Sequence, residues 1–303
     1  MLSIIIPVYN EQENIAPLLE ALKSYTPADS EYLLVDDGST DDTLKAISLF
    51  SGRDSSVKCI SLSRNFGQQN ALMAGLHYAK GDVIIIMDSD LQHPPALIPE
   101  MLRKINEGYD IVQTRRTGTQ RIGVIKRIST YLFYKFINSV SDIRIETNAA
   151  DFKAFTRKVL DNILQFEERD LFLRGVFSWV GFSTTTINFE APPRKYGTTK
   201  YSFGKMMILG LRGVTSFSLK PLRIAFLAGM IISLLAFCMG IYYFFVYFRG
   251  DTVPGWMSLM TAVLFLGGVQ LLAIGLLGEY VAGLVTESKK RPLYLIKDTI
   301  NIK

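Results

Sequence analysis

The sequence predicts an α/β domain built on a mostly parallel sheet, followed by interfacial amphipathic helices and two transmembrane helices. Three observations predict it. Short apolar runs alternate with helix-like stretches through the first 115 residues, the pattern of a parallel sheet flanked by helices. Several of those runs break abruptly into acidic or glycine-rich loops. Two later stretches, Ile224–Phe248 and Trp256–Gly278, contain no charged residue, and each exceeds the roughly 20 apolar residues that cross a bilayer.

Ser3–Val8 reads as the first strand and Glu13–Ser24 as a helix. Tyr32–Val35 is a second strand, and a helix runs from about Asp41 to Ser51 with Ser39 or Thr40 as cap. Val57–Leu62 is the third strand and Gln68–Ala79 the next helix. Val83–Met87 is a fourth strand of the fully buried type. Leu97–Glu107 is a helix reached through Pro94-Pro95, and Ile111–Thr114 a further strand. Lys126–Asn138 is amphipathic, and Ala149–Phe155 and Thr184–Phe189 read as strands added to the main sheet. Phe203–Leu219 mixes apolar residues with Lys205 and Arg212, as a helix lying in the membrane interface does. The expected units are residues 1–200, 201–222 and 223–303, the last a two-helix membrane domain with a cytoplasmic tail.

Charge sets the orientation. Lys200, Lys205, Arg212, Lys220 and Arg223 precede the first span, and Lys289, Lys290, Arg291 and Lys297 follow the second. The loop between the spans holds Arg249 as its single basic residue. By the positive-inside rule both ends are cytoplasmic. Met1-Leu2-Ser3-Ile4 runs straight into a strand without a basic n-region, so no signal peptide is expected. The reading is a multi-pass protein of the cell (inner) membrane with a cytoplasmic catalytic domain. The paired spans suit a homo-oligomer.

Composition excludes several classes. Cys59 and Cys238 are too few for a disulfide framework, and His77 and His93 too few for a His-rich zinc site. A net charge of +5 fits contact with anionic membrane lipid. No basic stripe interleaved with aromatics points to nucleic acid. Neither a Gly-x-x-x-x-Gly-Lys-Ser/Thr loop nor a Gly-x-Gly-x-x-Gly after the first strand is present.

The chemistry gathers at strand ends. Val83–Met87 delivers Asp88 and Asp90, with Gln92 just beyond, to the carboxyl edge of the sheet, where open α/β sheets bind ligands. Two carboxylates and an amide oxygen suit Mg²⁺ or Mn²⁺; the ordinary alternative is a solvated turn. Pro7-Val8-Tyr9-Asn10-Glu11 and Asp36-Asp37-Gly38-Ser39-Thr40-Asp41-Asp42 leave the same edge. Like charges so close need a cation or hydrogen-bond donors to offset them.

Taken in order, Ile4 through Glu11, Val35 through Asp41, Ser63-Arg64-Asn65-Phe66-Gly67 and Met87 through Pro95 carry a resemblance over nearly the whole chain. The sequence resembles family 2 glycosyltransferases of the GT-A fold, in the branch that glycosylates polyprenyl phosphates, the dolichol-phosphate mannose synthases and bactoprenol (undecaprenyl-phosphate) glucosyltransferases. The resemblance implies inverting, metal-dependent transfer of a hexose, by default glucose from UDP-glucose, to undecaprenyl phosphate. Mannose, galactose, N-acetylated sugars and aminoarabinose stand behind glucose, and a silent nucleotide-sugar-binding scaffold is the reading from another class. Pro7, Tyr9, Glu11, Val35 and Asp37 would bind the nucleoside, with Tyr9 against uracil, while Asp36 assists or holds the loop. Asp88 and Ser89 would face ribose and diphosphate. Asp90 and Gln92, with Asp88, would hold Mg²⁺ or Mn²⁺.

The acceptor phosphate is already an anion and needs cationic positioning more than a base. Arg115 and Arg127 match positions the family uses near phosphates. Arg194, Lys195 and Lys200 form a basic loop beside the membrane, with Arg194 and Lys200 in the nucleotide-sugar set; a plain positive-inside cluster is the alternative. Asp151 acts as a base, orients an arginine or closes a structural salt bridge. His93 reads as a loop residue ahead of two prolines. The chain lacks the Gln-x-x-Arg-Trp motif of processive relatives, since Trp179 follows Ser178 and Trp256 follows Gly255.

Overall fold

The structure, a computed structural model, describes residues 1–117, 149–168, 173–190, 218–249 and 255–302. Among them, eight strands form one sheet in the order β7-β5-β6-β4-β1-β2-β3-β8. The strands are β1 (Leu2–Val8), β2 (Ser30–Asp36), β3 (Val57–Leu62), β4 (Val83–Ile86), β5 (Ile111–Arg116), β6 (Ala149–Thr156), β7 (Thr184–Phe189) and β8 (Ile296–Ile300). β1 to β4 are mutually parallel, and β5 runs the same way because both it and β4 pair antiparallel with β6. The carboxyl ends of β1 to β5 therefore share one edge.

Helices α1 (Gln12–Tyr25), α2 (Thr43–Ser51), α3 (Gln68–Tyr78), α4 (Ile98–Asn106), α5 (Arg157–Ile163) and α6 (Leu173–Trp179) cover the sheet. Strand alternation divides the core between its faces. Ile4 and Ile6 pack with α1, α2 and α4 through Leu18, Ile47 and Met101. Ile5, Leu33 and Val35 pack with α3, α5 and α6 through Leu72, Val159 and Val176. Burial on both faces is why β1 and β4 read as unbroken apolar runs. A Cβ on Gly75 of α3 would collide with Ile5, so glycine sets how closely that helix lies on the sheet.

Among the described residues, the expected strands and helices through β7 form with small shifts at their ends. β5 runs on to Arg116, and a short 3₁₀ turn, Pro95–Leu97, precedes α4. α5, α6 and β8 are additions. Ile296–Ile300, expected as part of a cytoplasmic tail, is one of the sheet's two edge strands, antiparallel to β3. Most of 203–219 and all of 126–138, expected as amphipathic helices, lie outside the described residues.

Helices α7 (Lys220–Phe248) and α8 (Trp256–Ser288) follow. Among the described residues these two are long and apolar enough to cross a membrane. Their side chains face outward, Phe226 at 69% and Leu272 at 77% exposure. Apolar surface on this scale calls for lipid or another protein around it.

Candidate active site

Four loops leave the carboxyl edge and are stitched to one another. From the β1 loop, the Asn10 and Glu11 amides donate to Ser39 Oγ (3.0 Å) and Thr43 Oγ1 (2.9 Å). Asn10 Oδ1 accepts the Thr40 amide (2.8 Å). From the β2 loop, Asp37 accepts the amides of Phe66 (2.7 Å) and Gly67 (2.9 Å) in the β3 loop. From α3, Gln68 Nε2 donates to Asp88 Oδ1 (2.7 Å) in the β4 loop. Gly38 makes the crossing possible: its φ is +71°, and a Cβ there would lie 2.5 Å from the Arg64 carbonyl carbon.

The two acids after β2 hold these loops. Asp36, 2% exposed, accepts the Ser39 amide (3.1 Å) and the Ser61 hydroxyl (3.2 Å). Asp37 is as buried, and burial raises its carboxyl above the usual range while the Phe66 and Gly67 amides oppose the shift. Val35 is a core residue on the α3 face. Pro7 is buried in register with Val35, whereas Tyr9 and Glu11 are partly open at the edge. Glu11 Oε2 accepts from Asn14 Nδ2 (2.5 Å).

In the β4 loop, Asp90 Oδ1 accepts the Gln92 amide (3.0 Å) and Leu91 takes φ +59°. That conformation is strained for a branched side chain, and it turns Gln92 back toward the acids. Gln92 Oε1 accepts from Arg116 Nη1 (3.3 Å). Ser89 and Gln92 are buried, whereas the Asp88 side chain keeps 28% exposure.

His93 is fully enclosed, which its place before two prolines did not suggest. Its Nδ1 accepts the Asp88 amide (3.0 Å), which leaves the neutral ring's proton on Nε2. Nε2 lies 3.7 Å from Asp88 Oδ2, and the ring stacks on Phe152 at 5.3 Å between centroids. Burial, then the Arg116 guanidinium, pushes the imidazole's pKa down, so the ring stays neutral and braces the acidic loop.

The donor set fits a divalent cation. Asp88 and Asp90 offer carboxylate oxygens and Gln92 an amide oxygen, and burial, with the Asp151 and Asp90 carboxylates next, pushes the Asp88 carboxyl up to about 7. Acids crowded in this way ionise together when a cation offsets them. Among the described residues no group of three or more His, Cys, Asp or Glu closes a metal cage. Such an ion keeps positions open for water and substrate oxygens.

Asp151 lies beside this cluster at the start of β6. Arg174 of α6 holds it through Nε to Oδ1 (2.7 Å) and Nη2 to Oδ2 (2.6 Å). Burial opposes ionisation there, but the Arg174 charge and hydrogen bonds outweigh it and lower the carboxyl's pKa. The pair is the geometry both of an acid orienting an arginine and of a structural salt bridge. On β5, Arg116, the residue after Arg115, donates to Gln92 Oε1 and lies 3.3 Å from His93 Nε2, a contact between two donors and not a hydrogen bond in that tautomer. Arg127, Arg194, Lys195 and Lys200 lie outside the described residues. Sequence reasoning passed over Arg116, Gln68, Arg174 and the role of His93; only the Arg115-Arg116 tandem at a strand end was a usable signal.

The Glycosyl transferase family 2 model matches residues 3–164, and the GtrB C-terminal hairpin model matches residues 220–284. An uncharacterized glycosyltransferase of Synechocystis is 43% identical over 98% of this chain and 95% of its own. A prophage bactoprenol glucosyl transferase homolog of Escherichia coli is 40% identical over 98% of both chains. The bactoprenol glucosyl transferase of Shigella phage SfV is 38% identical over 98% of both. Among solved structures, S. aureus TarS 1-349 in complex with UDP-GlcNAc aligns with a TM-score of 0.50 at 18% identity. That alignment covers 71% of this chain and 65% of TarS, under two thirds of it, and is a likeness of fold.

Proposed function

The chain belongs to glycosyl transferase family 2, and on that premise we propose that it transfers glucose from UDP-glucose to the phosphate of a polyprenyl lipid at the cytoplasmic face of the inner membrane. The observation that carries this reading is the end-to-end likeness to bactoprenol glucosyl transferases, membrane hairpin included. The acidic edge supports it. Residues 1–200 are the catalytic domain, 201–222 the interfacial segment and 223–303 the two-span anchor; the exposed spans suit association with further copies.

Pro7, Tyr9, Glu11, Val35, Asp36 and Asp37 form the nucleoside end of the site, with the two aspartates keeping its loops in place. Asp88 and Ser89 serve the ribose and diphosphate. Asp88, Asp90 and Gln92 would hold Mg²⁺ or Mn²⁺, which when bound would supply positive charge to offset that of a departing diphosphate. Arg115, Arg116, Arg127, Arg194 and Lys200 supply positive charge for the two phosphate-bearing substrates. The lipid phosphate is ionised before it binds, so attack on the anomeric carbon requires alignment and no strong base. In-line displacement inverts that carbon and yields a β-linked polyprenyl phosphosugar. Asp151 orients Arg174 beside the acids.

The test is a screen of nucleotide sugars with the intact protein, undecaprenyl phosphate and Mn²⁺ in lipid bilayers. The expected product is a lipid-linked β-glucose. If neither turnover nor metal-dependent UDP binding is seen, the enzymatic reading fails.

A further inference from the structure

The last residues of the chain come back from the membrane and enter the catalytic sheet at its active edge. β8 begins with Ile296 opposite Leu62, the final residue of β3, and ends with Ile300 opposite Cys59. The Ser63 amide extends the ladder to the Leu295 carbonyl (2.9 Å). Beyond the strand, Asn301 Nδ2 donates to the carbonyls of Ser51 (2.8 Å) and Val57 (2.9 Å). Ahead of it, Tyr294 sits beside His77 of α3, hydroxyl to Nδ1 3.3 Å. Tyr294, Ile296 and Ile302 pack on the α3 side of the core and Ile300 on the other. The segment is thus fastened by backbone ladder, side-chain bonds and apolar contact on both faces.

The other end of the same segment is α8. Its 33 residues span about 50 Å, against roughly 30 Å of hydrocarbon. Its apolar stretch runs on to Ser288 with Glu279 and Glu287 as its two charges, so the helix is about 20 Å longer than the hydrocarbon and its last turn reaches beyond it. Leu295, seven residues past Ser288, already accepts the Ser63 amide of the β3 loop (2.9 Å), which keeps the end of α8 beside the catalytic domain. The step from Ser288 to Tyr294, Lys289-Lys290-Arg291-Pro292-Leu293 in between, can span at most about 20 Å.

We propose that this post and strand form a fixed tether that sets the height and tilt of the active edge over the membrane, so that the phosphate of a lipid-embedded acceptor meets the bound sugar. The inference rests on the polyprenyl-phosphate reading above. A single attachment to a bilayer leaves a domain free to vary in height and tilt. A second attachment, at the active edge itself, restricts that motion and raises the effective concentration of an acceptor confined to the bilayer. A water-soluble acceptor gains nothing from it.

The test lengthens the tether without removing the strand. A Gly/Ser segment of about ten residues, with a reach of about 17 Å, is inserted between Arg291 and Pro292 in the full chain. Three readings are taken: UDP binding with Mn²⁺, transfer to undecaprenyl phosphate in bilayers, and transfer to a short, water-soluble prenyl phosphate. The proposal expects unchanged UDP binding, unchanged transfer to the soluble acceptor and at least a tenfold loss with the bilayer acceptor. Equal transfer to the bilayer acceptor by both proteins overturns it, as does an equal loss with the two acceptors. If the unmodified protein transfers to neither acceptor, the functional reading fails instead. An Ile296→Asp variant, which weakens the strand and keeps the tether's length, is expected to show the same selective loss.

Discussion

Arg174 grips Asp151 with two parallel hydrogen bonds, Nε to Oδ1 at 2.7 Å and Nη2 to Oδ2 at 2.6 Å. A carboxylate held in this way is a poor proton acceptor, and the pair acts as one unit. Asp151→Asn and Arg174→Ala are expected to lower kcat for lipid transfer by similar factors, and the double variant by little more than either. Kinetics of the three variants check this through a double-mutant cycle. Losses that multiply would separate the two residues. Loss of a basic limb in the pH–rate profile of Asp151→Asn alone would restore the base.

The imidazole of His93 accepts the Asp88 amide, 3.0 Å from Nδ1, and so braces one side of the proposed cation site. His93→Ala leaves that amide without its acceptor and opens space against Phe152. Outer-shell losses of this kind weaken metal affinity by about 10–100-fold. Titration of Mn²⁺-dependent UDP binding should show that drop, with metal-independent binding little altered. An unchanged Mn²⁺ midpoint would confine His93 to packing.

Gly38 joins the β2 and β3 loops at φ +71°, with the Arg64 carbonyl carbon 2.5 Å from where a Cβ would stand. Alanine there adds a clash, about 1–3 kcal/mol, to a strained conformation that costs a similar amount. The strain falls on the loops that carry Asp37 and Phe66, so UDP affinity should fall about tenfold or more. Calorimetric UDP binding by Gly38→Ala reads the effect directly.

Much of this arrangement could be read from the sequence because the forces behind it are local. Buried parallel strands such as β1 and β4 read as apolar runs, and Asp36, Asp37, Asp88 and Asp90 stand where those runs break. Contacts made across the fold left no such trace. Asp151 and Arg174 lie on separate elements, and no spacing rule joins them. His93 looks like any loop histidine until Phe152 and Arg116 are folded against it. β8 is the clearest case: Ile296-Lys297-Asp298-Thr299-Ile300 carries two charges after a basic stretch and reads as a tail. It becomes a strand because β3 offers an open edge and Ile296 and Ile300 find the two cores.

The opposite edge of the sheet gives a stability prediction independent of the site. Glu31, 1% exposed, accepts from Ser3 Oγ (2.5 Å), Lys58 Nζ (2.5 Å) and the Lys80 amide (2.7 Å). Burial opposes its charge, yet the three donors prevail and lower its pKa. A depressed carboxylate stabilises the fold above its unfolded pKa, and the contribution is lost as pH falls through the folded value. Glu31→Ala should destabilise by about 3–5 kcal/mol at neutral pH. The gap to the unmodified protein should narrow in acid. Thermal inactivation in detergent across pH measures both; a gap that widens in acid would contradict the assignment.

On the proposed function, the acidic edge and the membrane anchor serve one transfer, from nucleotide sugar to lipid phosphate, with Asp90 at the cation. The most direct measurement is transfer of labelled glucose from UDP-glucose to undecaprenyl phosphate in bilayers by the unmodified protein and by Asp90→Asn, with Mn²⁺ and with chelator. The expected result is Mn²⁺-dependent lipid-linked glucose from the unmodified protein and none from an equally folded Asp90→Asn. Transfer that survives chelation, or an Asp90→Asn protein as fast as the original, would contradict the account.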